Sequence, residues 1–434
     1  MRNQLLILGL ILVLTPPLRA QQTLTLKDAV SLALNKNFQI QIARNEAEIS
    51  RKQNSAGAAG MLPNVMLNAS DNPSLNNLRQ ELTNGTLIQQ DNVLSNNLNT
   101  NVMLGYTLFD GMRMFATRKR LQELEAMGQN RLKAQIQNTL SDVIQRYSYL
   151  SSQQSYMSVV EKLRDISLDR YKIVEVRVAA GLANNTDLYF AQLDVDTWKQ
   201  NVISQQIIIK NAYTDLNVVI NLPADSVYSV DEAIVTDNTL NKSRLDSSFA
   251  GNPELMMAQN QVNIALQSEK EVRSARMPLL RMNAGYGYTL VQSQAGFTLL
   301  NQTYGPLAGL TFSLPLYTGN VNANNVAIAK LQAKNAQLNE QQVQLNFKGS
   351  FEQAWFRYTN TLKQVENDEV SVNTAKQYLD LMEQRYKLGQ STVLDFREAQ
   401  RSYEETNYRL ISNRYLLKLS ETDLLRLTGT LVSN

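Results

Sequence analysis

Few residues in this chain could carry out chemistry. Among its 434 residues there is no His and no Cys. The usual general base, the commonest metal ligand and the thiolate nucleophile are all missing. Catalysis would have to rest on carboxylates, Ser or Lys, yet no G-x-S-x-G elbow, no Gly-rich phosphate loop and no metal-ligand cluster occurs. The sequence therefore implies no enzyme, no catalytic residue, no metal and no cofactor. Two carboxylates stand out by position. Asp395 and Glu398 lie three apart, so they share a helix face just after a break at Gly389. Taken alone, such a pair reads as two solvated surface acids.

The elements that would position these residues occur twice. Gly181-Leu-Ala-Asn-Asn-Thr-Asp187 followed by Ala191-Gln192 is matched by Gly389-Gln-Ser-Thr-Val-Leu-Asp395 followed by Ala399-Gln400. The same offset of 208 places Gly111 on Gly319, Arg177 on Arg385 and Asp215-Leu216 on Asp423-Leu424. Upstream the offset is 215, with Asn37 on Asn252 and Pro63 on Pro278. A unit of about 200 residues is too long for a solenoid repeat and implies a duplicated, pseudo-symmetric architecture.

Residues 1–20 read as a secretory signal, with Arg2, an apolar stretch Leu5–Leu14 and the small Ala20 before the cut. Its removal takes Lys+Arg from 42 to 40 against 39 acids, a balance that argues against nucleic acid as a partner. Beyond the signal no apolar run reaches the roughly 20 residues a membrane helix needs.

The pattern then divides as a first repeat (21–223), a connector (224–251) and a second repeat (252–434). An amphipathic helix covers Leu24–Asn35, and a polar helix runs from Phe38 to about Gly60. Val65, Leu67 and Ala69 alternate with Asn64, Met66 and Asn68, which predicts a strand over 63–70. The Asn/Ser/Thr-rich stretch 71–100 reads as a long loop. A strand follows over 101–110, with Val102, Leu104, Tyr106 and Leu108 on one face. A long helix is predicted over 112–180, where Ile136, Leu140, Val143, Tyr147 and Leu150 form a heptad seam. A second helix spans 185–221. The second repeat replays this order: a helix, a strand over 279–290, a loop over 291–301, a strand over 303–317, a long helix over 321–388 and a helix over 391–428.

Two strands per repeat cannot close a barrel, and an isolated hairpin is marginal in water. Closure requires several chains. Faces rich in Leu, Met, Val and Tyr suit lipid, and the Asn/Thr/Gly faces suit a watery lumen. Tyr106, Tyr286, Tyr288, Tyr304 and Tyr317 fit interfacial girdles. A β-sandwich with a buried face would give the same alternation. The long helices, about 100 Å at 1.5 Å per residue, carry narrow apolar seams and wet outer faces. A tunnel wall and a plain coiled-coil rod both satisfy that pattern. Trp198 and Trp355 read as packing residues.

The chain resembles the TolC family of outer-membrane efflux and secretion channels. The resemblance rests on the stretch Leu24–Asn37, on Tyr106-Thr-Leu-Phe-Asp-Gly111 and Phe312-Ser-Leu-Pro-Leu-Tyr-Thr-Gly319 at the strand-to-helix turns, and on Arg385–Gln400. It covers nearly all of the sequence after the signal. It implies a mainly α homotrimer with a small transmembrane β portion. Each chain would give four strands to a shared twelve-stranded barrel in outer-membrane lipid. The long helices would form a periplasmic tunnel, and Leu24–Asn35 with the connector would form a belt around it.

The resemblance also implies site residues. Asp395 and Glu398 would line the periplasmic aperture as stacked carboxylate rings that attract cations, with crowding raising some of their pKa values. Tyr386 and Asp187 would hydrogen-bond to hold the aperture closed. Ser391 stands where the family has an Arg in that network, leaving Arg385 and Lys387 as candidate substitutes. The turns at Gly181, Leu182, Gly389 and Gln390 would dock a periplasmic adaptor (membrane fusion) protein linked to an inner-membrane pump. The expected function is passive export across the outer membrane of a Gram-negative cell. The alternative is a periplasmic coiled-coil adaptor or scaffold without a pore.

Overall fold

The computed structural model describes residues 23–231, 233–246 and 248–431. The expected signal over 1–20 lies outside them. In chain order the elements are β1 (Thr23–Leu24), α1 (Leu26–Lys36), α2 (Phe38–Gln53), β2 (Asn64–Glu81), β3 (Leu87–Phe109), α3 (Arg113–Ala179) and α4 (Asn185–Ile220). There follow β4 (Ser229–Val230), α5 (Lys242–Asp246), a 3-10 turn at Phe249–Gly251, α6 (Pro253–Ser274), β5 (Leu279–Ser293), β6 (Leu300–Ser313), α7 (Val321–Lys387) and α8 (Val393–Leu427). The long helices α3 and α7 have 67 residues each. Among the described residues no helix is long and apolar enough to cross a membrane.

The chain folds as two compact units, and each draws on both repeats. The first takes the residues up to Gln41, Gln135–Phe249 and those from Gly349 onward; the second takes Ile42–Ala134 and Ala250–Lys348.

In the first unit, the α3 seam residues Val143, Tyr147 and Leu150 pack on Ala212, Leu216 and Ile220 of α4 and on Ala29 and Ala33 of α1. Each fully buried Leu or Val there contributes about 1.5–3 kcal/mol. The Tyr147 hydroxyl donates to the Leu24 carbonyl at 2.9 Å and accepts from the Asp231 N–H at 3.1 Å. Parallel pairing of Thr23 with Ser229 and of Leu24 with Val230 joins the start of the described chain to the connector. A capping box of Thr25 and Asp28 starts α1. A second core gathers all four long helical segments: Leu163 and Val174 of α3, Ala191 of α4, Leu379 and Tyr386 of α7, and Phe396, Ala399 and Tyr403 of α8.

In the second unit, four antiparallel strands form one sheet in the order β2-β3-β5-β6. The register sorts residues by chemistry. Asn64, Gly105, Asn283 and Gly309 form one row across the sheet; Val65, Leu104, Ala284 and Ala308 form the next, on the opposite face. Asn68 donates to Asn101 Oδ1 at 2.9 Å on the polar face. On the apolar face Leu67, Tyr286, Tyr304, Leu310 and Phe312 are exposed, each by half or more. Among the described residues no second sheet covers it, which removes the sandwich reading.

Four expectations need correction. Residues 71–100 are not a loop. β2 continues to Glu81 and β3 begins at Leu87, paired as Asn72 with Asn97 and Glu81 with Leu87. Polar side chains occupy both faces there, so no alternation marks the ladder. The loop expected over 291–301 is shorter, since β5 reaches Ser293 and β6 starts at Leu300, leaving 294–299 as the connection. The strand expected to run to 317 ends at Ser313, before Pro315. The helix expected to reach Gly60 ends at Gln53.

Candidate functional site

Two turns, one from each repeat, carry the expected site residues, and the backbone builds them alike. Gly181 has φ +73 and Gly389 φ +75, the left-handed conformation that glycine tolerates. The Gly181 N–H donates to the Val178 carbonyl and the Leu182 N–H to the Arg177 carbonyl, at 3.0 and 2.8 Å. The Gly389 N–H donates to Tyr386 and the Gln390 N–H to Arg385 at the same two distances. Asn184 then caps α4 by accepting from the Asp187 N–H at 2.9 Å. Its repeat mate Thr392 caps α8 by accepting from the Asp395 N–H at 3.2 Å. Leu182, Leu388 and Leu394 are 79, 71 and 74% exposed, so the turns present apolar side chains to solvent.

Asp395 is the reciprocal half of a capping box. Its Oδ2 accepts from the Thr392 hydroxyl at 2.7 Å and from the Thr392 N–H at 3.0 Å. These donors, hydroxyl first, hold its carboxyl below the usual carboxylate range, and Arg385 adds to the effect. Within one chain this is opposite to the raising expected from crowding. Glu398 is exposed and accepts from Arg401 at 3.0 Å. The two acids do share a face, but each already has a donor.

The expected Tyr386–Asp187 hydrogen bond is not formed among the described contacts. Tyr386 is only 5% exposed. Burial raises its hydroxyl pKa, opposed by Arg170 and Arg177 and reinforced by the charge of Asp187. All four groups are thus electrostatic neighbours. Within the chain, the two candidate substitutes for the missing family Arg contact other groups. Lys387 pairs with Glu383 at 2.6 Å, and Arg385 donates to the Gln390 carbonyl of its own turn at 3.3 Å. The Ser391 hydroxyl is buried without a partner. Arg177 of α3 instead donates to the carbonyl oxygens of Tyr386 and Lys387 at the end of α7, at 3.0 and 3.1 Å. A cation there also offsets the negative end of the helix dipole.

Deeper in the same unit lies a network that sequence reasoning missed. Arg170 is 2% exposed and pairs with Asp194 of α4. Arg397 of α8 reaches the other Asp194 oxygen at 3.5 Å. The Arg170 guanidinium stands 5.8 Å from the Phe396 ring centroid, and its Nε and Nη1 have no partner. The signal was available: Leu163, Ser167, Arg170 and Val174 form a stripe of 4-3-4 spacing, one residue out of phase with the earlier seam, and a charge falls on it. The repeat mates of Arg170 and Asp194 are Tyr378 and Ser402. Only the first repeat carries the pair.

One sheet built from two hairpins, each joined by a tight glycine turn to a long helix, defines a channel-type outer-membrane protein. The chain belongs to the outer membrane efflux protein family, whose sequence pattern matches residues 29–221 and 245–430. It is 23% identical over 354 residues to the proteases secretion protein PrtF of Dickeya chrysanthemi, covering 79% of this chain and 74% of that one. To the outer membrane protein TolC of Salmonella enteritidis it is 22% identical over 365 residues, covering 78 and 70%. The fold matches the CmeC outer membrane channel of Campylobacter jejuni with a TM-score of 0.77 at 17% identity, over 93% of this chain and 85% of that one. It also matches the open state of the MtrE outer membrane channel of Neisseria gonorrhoeae, with a TM-score of 0.71 at 18% identity over 94 and 89%. The chain is therefore an outer-membrane efflux or secretion channel of a Gram-negative bacterium, and not an enzyme.

Proposed function

We propose that three copies assemble into a passive exit duct serving a tripartite efflux or type I secretion system. The observation that carries this reading is the sheet itself. β2 and β6 are edge strands, each with an outer edge unpaired among the described residues, and one face is apolar and exposed. Open edges of that length are an aggregation hazard unless other copies pair with them. Closing four-stranded sheets edge to edge gives a barrel with lipid outside and Asn, Thr and Gly inside. The count of three comes from the family resemblance.

In this reading Asp395, Glu398, Tyr386 and Asp187 surround the periplasmic aperture. Gly181, Leu182, Gly389 and Gln390 form the turns on which a periplasmic adaptor docks, and an inner-membrane pump supplies the energy. Exposed Leu182, Leu388 and Leu394 suit a partner helix.

The test is single-channel conductance of detergent-purified protein in a planar bilayer, with mass measurement of the assembly. Small cation-selective steps from a trimer, losing cation preference in Asp395→Asn/Glu398→Gln, are expected. A monomer that never inserts would overturn the reading.

A further inference from the structure

The junction between sheet and helices holds a groove of about 330 Å³ between the start of α3 and the end of α6. At one end is Gly111, with φ +70, packed so closely that a Cβ there would lie 2.4 Å from Met277 Cβ. Lys119, Lys270 and Arg273 line the groove, all three exposed, and no carboxylate lines it among the described residues. Two acids on these helices are committed elsewhere: Glu271 pairs with Arg120 at 2.7 Å, and Glu123 accepts from Asn260 and Asn263 at 2.9 and 3.2 Å. Beside the cations stand Met112, Phe115 and Met277, 58, 50 and 49% exposed. Gln267 also lines the groove, and its Oε1 is buried without a partner.

The groove shares Ser274 and Met277 with a neighbouring cavity but differs from it in the rest of its lining. That cavity, at the same junction and about 640 Å³, includes Thr107 and Arg281 in its wall. Those two are register partners on the polar strand face. The cationic groove includes no strand residue. It lies just beyond the strand ends Phe109 and Leu279, where a membrane-embedded sheet meets its periplasmic boundary. Unpaired cations next to exposed Met and Phe side chains match a phosphate with an acyl chain attached.

We propose that this groove is a binding site for one glycerophospholipid of the inner leaflet. Lys119, Lys270 and Arg273 hold the phosphodiester, and Met112, Phe115 and Met277 pack on the upper acyl chain. The Gln267 Oε1 accepts from the headgroup ammonium or hydroxyl. The site rests on the reading that the sheet lies in the membrane. One lipid fixed at each junction would key the depth at which the sheet sits.

Native mass spectrometry of the detergent-extracted assembly tests this, with phosphatidylethanolamine, phosphatidylglycerol and inorganic phosphate as separate probes. Wild type is expected to keep one phospholipid per chain through washes that strip the rest. Lys119→Gln/Lys270→Gln/Arg273→Gln should bind it about 100-fold more weakly, roughly fivefold per cation. If the triple variant fails to assemble, Lys119→Gln alone should show the fivefold loss. Equal retention by wild type and variant, or graded binding without a one-per-chain step, would overturn the site. Displacement of lipid by inorganic phosphate at equal concentration would make it a plain anion site and overturn the lipid assignment. Conductance of the same samples keeps the outcomes apart: a variant that conducts but loses its lipid supports the site, whereas wild type that neither inserts nor conducts fails the membrane reading first.

Discussion

Arg177 and Tyr386 are joined twice. The Arg177 guanidinium donates to the Tyr386 carbonyl at 3.0 Å and lies 5.4 Å from the centroid of the Tyr386 ring. The repeat mate of Arg177, Arg385, does neither and turns back to its own loop. One copy of a duplicated arginine therefore bridges the two helical hairpins, and the other does not.

Removing that bridge should loosen the end of α7. Arg177→Ala deletes two charge-assisted bonds and a cation over an aromatic face, each worth about 1 kcal/mol or more. In planar bilayers the variant is expected to conduct more than wild type or to open more often. Arg385→Ala should leave conductance near wild type. Equal effects from the two would rule out Arg177 as a bridge.

The pair Arg170–Asp194 behaves differently because it is buried. Asp194→Ala strands a guanidinium that is 2% exposed, with two of its nitrogens already unpartnered. Breaking a buried pair from one side costs about 3–5 kcal/mol. Arg170→Met/Asp194→Leu, which removes both charges, should recover most of that loss. Thermal unfolding of the assembly and limited proteolysis near the turns would measure both. If the double variant is as unstable as Asp194→Ala, the cost lies in packing and not in the uncompensated charge.

How far the sequence could be read depended on contrast between neighbouring positions. The strands at Asn64–Ser70 and Asn101–Phe109 were legible because apolar and polar residues alternate there. Their continuation was not, because Asn72 faces Asn97 and Ser74 faces Ser95, polar on polar. Asp395 and Glu398 were legible as a pair by spacing, but their partners were not. A capping box needs Thr392 in extended backbone, and Arg401 must choose Glu398 over Glu405, which lies 3.9 Å away. Arg170 put a charge visibly on its helix stripe, yet its partner Asp194 lies 24 residues on, across a turn. Arg177 was singled out by the repeat, but its target is main chain, which no residue type reveals.

Capping fixes the pH behaviour of Asp395. Its carboxyl is held below the ordinary Asp range by Thr392, so its folded pKa is depressed. The stabilisation is fully present above the unfolded value near 3.9 and is lost as pH falls through the folded value. Between pH 5 and 8 the first turn of α8 should not respond. Amide exchange at Asp395 should stay slow across that window in wild type and become fast in Thr392→Ala at every pH. A titration of that amide centred near pH 6 would contradict the cap.

The two strand-to-helix glycines, repeat mates by sequence, should respond unequally to the same change. Gly319 has φ +59 with nothing within 4 Å of an added Cβ, so Gly319→Ala meets only backbone strain of about 1 kcal/mol. Gly111 has φ +70, and its Cβ would come within 2.4 Å of Met277 Cβ and 2.8 Å of the Ser274 carbonyl oxygen. Neither neighbour is a flexible side-chain end, so α6 must shift away from the start of α3. Gly111→Ala should therefore lose several times more stability than Gly319→Ala, read as melting temperature of the assembled protein. Gly111→Ala/Met277→Gly should recover only part of the loss, because the clash with the Ser274 carbonyl and the strain of positive φ both remain. Equal melting temperatures for the two single variants would mean that the close approach at Gly111 does not constrain the junction.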